Sequence, residues 1–179
     1  WYDPTAAEFQ SLCAVPVRTQ QTLVSVPKLD YDDLNQIAAA APEVECAAHL
    51  LGLTGPNAVA MTGTPFVWAG LSTEADVRNR LARVADAAGC PAVMAGTALM
   101  DALRALGVSQ IAVATPYYTQ RWRDHAALIF SACGFNVLAI RSADQLGLAP
   151  DISSIDDHQQ SSGDAVLREC LRRLCNEAP

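Results

Sequence analysis

GCPAVMAGTALMDALRALGVSQIAVATPYY, residues 89–118, is the stretch on which the fold turns. It reads as a strand, a small-residue turn, an amphipathic helix, a second strand and an abrupt Thr115-Pro116-Tyr117-Tyr118 loop. Thr97 can cap free backbone amides where the helix begins. Leu99, Leu103 and Leu106 recur at helical spacing and define its expected core face. Gly107 stands where a left-handed residue commonly closes a helix. Ile111–Ala114 is a short apolar run, as expected of a parallel strand buried on both faces. Open α/β sheets meet ligands at the carboxyl ends of such strands, so the Thr-Pro-Tyr-Tyr loop is where a small molecule would be met.

The same alternation runs outward in both directions. Glu8–Leu12 reads as the end of a helix and Gln21–Val26 as a strand. Asp30–Leu51 is helical with a break near Pro42, because proline lacks an amide and crowds the preceding turn. Asn57–Met61 is a strand, and Thr73–Ala88 a helix that Thr73 can cap. Ala92–Ala95, Ile111–Ala114 and Phe135–Ile140 supply further strands. Asp124–Cys133 is a helix stopped by Gly134, and Asp164–Cys175 another. Strands alternating with helices predict an α/β fold with doubly wound, mostly parallel sheets, in which Asn57–Met61 and Ile111–Ala114 are central. Repetition of the unit suggests two similar lobes across a cleft, residues 1–88 and 89–179.

Composition narrows the function classes. The chain has 179 residues, 51% of them hydrophobic, enough for one large domain or two small lobes with a real core. Its net charge of −7 argues against nucleic-acid binding, which needs clustered Lys and Arg. Arg121-Trp122-Arg123 and the Arg168–Arg173 stretch read as solvated helix faces. No apolar run approaches the ~20 residues of a membrane span, and no signal peptide is visible. The six cysteines lack zinc-type spacing and read as reduced, mostly buried and cytoplasmic. His49, His125 and His158 are isolated, and no metal is expected.

Residues 89–118 resemble the aspartate/glutamate racemase superfamily, in the branch holding maleate cis-trans isomerase and arylmalonate decarboxylase. In that branch a helix close to TALMDALRALGV leads into a strand ending in a Thr-x-Tyr loop. Ala58-Val-Ala-Met-Thr-Gly-Thr-Pro-Phe-Val-Trp-Ala-Gly70 is similar to the family strand that ends at a reactive position, and Gly147-Leu-Ala-Pro-Asp151 adds a weaker match. The resemblance implies a flavodoxin-like, cofactor-independent enzyme working at carbon next to a carboxylate, by isomerisation or decarboxylation. It also implies that the chain starts after the family's first strand and stops before its final segment, which bears a catalytic Cys. An unfilled strand position would favour association, so a homo-oligomer is open.

Several residues are candidates for the site. A strand followed by Thr62, Gly63 and Thr64 exposes amides and hydroxyls that can nest an anion. The bland alternative is a tight turn in which a threonine only caps the backbone. The resemblance places this turn on the carboxylate-binding loop, with Thr62 where maleate isomerases carry a nucleophilic Cys and arylmalonate decarboxylase carries Gly. A threonine hydroxyl without a paired base is a poor nucleophile, so covalent addition at Thr62 is not expected. Family position assigns Tyr117 to orient the substrate, while Tyr118 reads as packing. Thr115 can bond the same anion. Asp151 falls where maleate isomerases have a substrate-contacting Asn, though a plain acidic turn residue fits equally well; a carboxylate there would repel a dicarboxylate. Cys90 precedes a strand at its amino end and reads as core. The competing class is a non-catalytic module that binds small carboxylates on the same fold.

Overall fold

Two strand–helix–strand units organise the chain in the computed structural model, which describes residues 5–26, 30–64, 66–149 and 164–177. In the first, β1 (Val59–Met61) and β2 (Ala92–Met94) are joined by α4 (Glu74–Ala88) and pair in parallel, Val59 opposite Ala92 and Met61 opposite Met94. In the second, β3 (Gln110–Thr115) and β4 (Asn136–Ser142) are joined by α6 (Gln120–Ala132) and again pair in parallel. Helix α5 (Ala95–Ala105) carries the chain from one unit to the other. Each sheet has two strands among the described residues, so β1 and β3 are partners in different sheets rather than central strands of one. The expected boundary after Ala88 falls inside the first unit, since β1 and β2 pair across it.

Local chemistry explains most element ends. Thr73 opens α4 with a capping box: its hydroxyl accepts from the Asp76 amide at 3.1 Å, and the Asp76 carboxylate accepts from the Thr73 amide at 2.9 Å. That hydroxyl, with amide donors from Ser72 and Thr73, holds the Asp76 carboxyl below its ordinary pKa. Gly89, Gly107 and Gly134 close their helices at positive φ. The break near Pro42 is real: α2 (Leu34–Ala39) stops at Ala40, and α3 (Ala41–Gly52) restarts with the proline in its first turn, where the missing amide costs nothing. The β3–β4 ladder slips between Ile111 and Ala112, because Ile111 faces Val137 while Ala112 faces Ala139. Leu138 is the extra residue of this bulge.

Five further expectations need correction. Gln21–Val26 forms no strand and is largely exposed, Leu23 at 78%. Helix α5 starts at Ala95 rather than at a Thr97 cap; the Thr97 hydroxyl lies inside the first turn and donates back to the Met94 carbonyl at 2.7 Å. Its buried face is Gly96 and Met100 with Leu103, whereas Leu99 is exposed and Leu106 is 77% exposed. Arg123 is not on a solvated face: it is buried and donates to the Tyr118 carbonyl at 2.5 Å and the Ser142 hydroxyl at 2.6 Å. Of the cysteines, Cys133 and Cys170 are buried, but Cys46 and Cys175 are exposed.

The main core joins both units: Val67, Trp68, Met94, Met100, Trp122 and Phe130 belong to one buried cluster. A smaller cluster of Ala48, Val59, Val84 and Ala88 fixes α3 and α4 against β1, and partly buried Cys90 packs against it. Helices α3 and α4 lie against one another, and α7 (Asp164–Glu177) packs on β3 and β4. Arg104 clips α5 to the end of α6, donating to the Cys133 carbonyl at 2.7 Å with its guanidinium 5.6 Å from the centre of the Phe135 ring. Among the described residues no helix is long and apolar enough to cross a membrane.

Gly96 sits flat against the fully buried Trp68 ring, and a Cβ there would collide with it. Gly96→Ala is therefore expected to destabilise the fold by about 1–3 kcal/mol, the usual cost of overpacking a filled core. Gly107→Ala, where no atom lies within 4 Å, should cost only the backbone strain of its positive φ. Urea unfolding monitored by tryptophan fluorescence measures both; an unchanged midpoint for Gly96→Ala would contradict the packing.

Candidate functional site

The strand β1 ends at Met61 and delivers Thr62, Gly63 and Thr64 directly beyond its carboxyl end. Gly63 has φ of +82°, a left-handed conformation that a side chain would strain, although a Cβ would have space. The strand β3 likewise ends at Thr115 and delivers the Pro116-Tyr117-Tyr118 loop. Thr62, Gly63, Thr64 and Tyr117 line one cavity of about 550 Å³. Its remaining wall is mostly apolar, with Ile37 and Val44 from α2 and α3, Val59 and Met61 from β1, and Val84 from α4.

Aromatic contacts position the loop. Tyr31 Oη donates to the Tyr117 carbonyl at 3.1 Å, and the Tyr31 and Tyr117 rings meet edge-on with centroids 6.3 Å apart. Tyr31 packs also on Phe66, the residue that opens the 3-10 turn Phe66–Trp68, at 5.6 Å. Burial, with the neighbouring phenols Tyr117 and Tyr118, pushes the Tyr31 hydroxyl well above its ordinary pKa, so it remains a neutral donor. Tyr118 is buried beside Tyr117, as its packing role requires, and burial raises its pKa too.

Thr115 is brought near but not in. It is buried, faces Ser142 in the ladder, and its hydroxyl has no hydrogen-bond partner among the described residues; it does not line the cavity. Asp151 lies outside the described residues. Among the described residues, neither cysteine nor histidine lines the cavity, and no group of His, Cys, Asp or Glu side chains could hold a metal ion. Burial raises the Cys133 and Cys170 thiols above their ordinary pKa, which disfavours thiolate at both. His125 is a packing residue whose Nε2 lies 2.8 Å from the Trp68 carbonyl.

Two participants escaped the sequence reading. Tyr31 gave no signal beyond a lone aromatic ahead of α2. Arg80 gave one: it stands at helical spacing with Val77, Leu81 and Val84, on the buried face of α4, and it lines the cavity.

Comparison with known proteins agrees with this architecture. The family model for arylmalonate decarboxylase matches residues 23–179. Among solved structures, unliganded arylmalonate decarboxylase superposes with a TM-score of 0.64 at 21% identity, covering 86% of this chain and 60% of that one. Maleate isomerase from Pseudomonas putida S16 gives 0.58 at 17% identity, over 78% of this chain and 56% of that one. A Nocardia farcinica maleate cis-trans isomerase mutant with a covalently bound succinylcysteine intermediate gives 0.59 at 16% identity, over 90% and 67%. No curated protein sequence matches closely. At these identities the superpositions establish the fold, and the chain spans about 60% of the length of arylmalonate decarboxylase. With strands, turns and cavity arranged in this way and the family model running from Leu23 to the last residue, the chain belongs to the arylmalonate decarboxylase family.

Proposed function

We propose that this chain carries the carboxylate-binding half of a site for cofactor-independent isomerisation or decarboxylation at carbon next to a carboxylate. The observation behind the reading is the shared cavity, on which the Thr62–Thr64 turn and Tyr117 converge from two different strand ends. Loss of CO₂ or of a proton from such a carbon leaves an electron pair that spreads onto the remaining carboxylate as an enediolate. Donors aimed at those oxygens stabilise the added charge more strongly in an apolar surround than in water. Thr62 and Thr64 supply hydroxyls, the turn supplies amides and Tyr117 supplies a phenol. The apolar wall from Ile37 to Val84 gives the carbanion-like carbon a weakly polar surround. Reprotonation needs an acid, and among the described residues the cavity offers no thiol, imidazole or carboxyl.

Two outcomes test this reading. Thr64→Val and Tyr117→Phe are each expected to weaken binding of an arylmalonate by about 1–3 kcal/mol, the cost of losing a hydrogen bond to a charged group. Calorimetry reads the affinity, and unchanged values for both variants would assign the turn and the tyrosine to structure alone. The 179-residue chain by itself should bind maleate and arylmalonates without turning them over. Product NMR would reveal any steady turnover, which would mean that another residue delivers the proton. Activity appearing only in Thr62→Cys would mark position 62 as a site where a nucleophile can work.

A further inference from the structure

The cavity holds a cation that the reading above does not use. Arg80 and Tyr117 are the titratable side chains on its wall among the described residues. Arg80 is only 9% exposed, and Nη1 donates to the Val67 carbonyl at 3.4 Å and the Ala69 carbonyl at 3.1 Å. These bonds hold the guanidinium in place, yet Nε is buried without a hydrogen-bond partner. No carboxylate forms an ion pair with it among the described residues; neighbouring Glu45 is engaged by Arg83 at 2.7 Å. Burial pushes the Arg80 pKa down, the expected response of a desolvated cation.

A buried charge without a counter-charge is costly, and two carbonyl dipoles answer only part of its bonding capacity. The guanidinium fork matches the two oxygens of a carboxylate. The Thr62–Thr64 turn opens on the same cavity, and its wall also includes Val44, Ala47, Val59 and Val84. A volume near 550 Å³ is ample for a ligand with an extended spine.

We infer that Arg80 is an anion subsite of this cavity and takes the distal carboxylate of a diacid whose hydrocarbon spine lies along the apolar wall. The inference rests on the proposed reading for the first carboxylate, which the Thr62–Thr64 turn and Tyr117 hold. Charge-assisted bonding to a positioned guanidinium supplies the selectivity, because a chain ending in a methyl group leaves Arg80 uncompensated.

Pimelate and heptanoate share a chain length and differ in that distal group, so calorimetry with the unmodified chain is the direct measurement. Pimelate should bind at least about tenfold more tightly, a difference of ~1.4 kcal/mol. Arg80→Met should bring pimelate down to the level of heptanoate, with heptanoate within about twofold of its original affinity. Arg80→Lys, which keeps the charge and loses the fork, should retain part of the preference. Near-UV circular dichroism checks that each variant folds; should Arg80→Met fail to fold, the unmodified chain and Arg80→Lys still decide. Equal affinities in the unmodified chain, or a preference that survives Arg80→Met, overturns the subsite. The turn is judged separately by Thr64→Val against heptanoate: weaker heptanoate binding there without a diacid preference refutes Arg80 alone. Absence of binding by either acid refutes both readings.

Discussion

Burial of Trp122 is the constraint on which the site depends. Its ring lies 5.3 Å from Phe66 and 5.6 Å from Tyr31, and its indole N–H donates to the Tyr31 carbonyl at 2.8 Å. The indole N–H of a buried tryptophan usually finds a partner, and here the acceptor comes from a segment 91 residues away. Phe66 follows the Thr62–Thr64 turn closely, while Tyr31 donates to the Tyr117 carbonyl at 3.1 Å. One aromatic cluster thus sets the spacing between two loops that leave two different sheets. Each aromatic pair adds about 0.5–1.5 kcal/mol beyond its buried area. The exposed Arg121–Asp32 pair at 3.7 Å, on the rim of the same contact, adds little.

What the sequence made legible was whatever a single element decides for itself. The Thr73 cap, the glycine stops, the break at Pro42 and the strands β1 to β4 all follow from backbone chemistry within a few residues. The place of the Thr62–Thr64 turn and the Tyr117 loop beyond strand ends was legible for a related reason, since the carboxyl end of a parallel strand is set by strand direction, whereas the roles given to them came from the resemblance. The failures need partners to explain them. Gln21–Val26 alternates, but alternation does not provide a neighbouring strand, and without one its amides are better left to water. In α5, Leu99 and Leu106 satisfy the helical period as well as Met100 does. Which stripe is buried is decided by Trp68, whose ring requires the bare backbone of Gly96 and so turns that side of the helix inward.

The arginines carry the same lesson in electrostatic form. Arg123 and Arg80 both occupy inward positions of amphipathic helices, where a charge count over the sequence cannot separate them from the solvated Arg78 or Arg121. Their surroundings then diverge. Arg123 completes a polar chain, bonding Ser142, whose hydroxyl donates to Asp144. That buried charge is compensated through the hydroxyl by a carboxylate at the end of β4. Arg80 has carbonyls in place of such a chain, its Nε is buried without a partner, and the residue lines the cavity. In a protein of net charge −7, a cation thus stands on the wall of the cavity that the Thr62–Thr64 turn and Tyr117 share.

Binding and bond-making are separable in such a cavity because they ask different things of the side chains. Holding an anion needs hydrogen-bond donors, which threonine hydroxyls, a phenol and a guanidinium can supply. Moving a proton needs a group whose two protonation states are close in energy near neutrality. The thiols whose titration burial displaces, Cys133 and Cys170, are driven upward, away from that condition, and neither lines the cavity. The apolar wall that strengthens every donor toward a carboxylate also opposes the ionised state of a thiol or imidazole placed against it. A proton donor serving this cavity must then bring its own stabilising contacts, such as the backbone amides at the end of another strand. In the turn after β1, Gly63 at positive φ bends the chain between the hydroxyl-bearing residues Thr62 and Thr64.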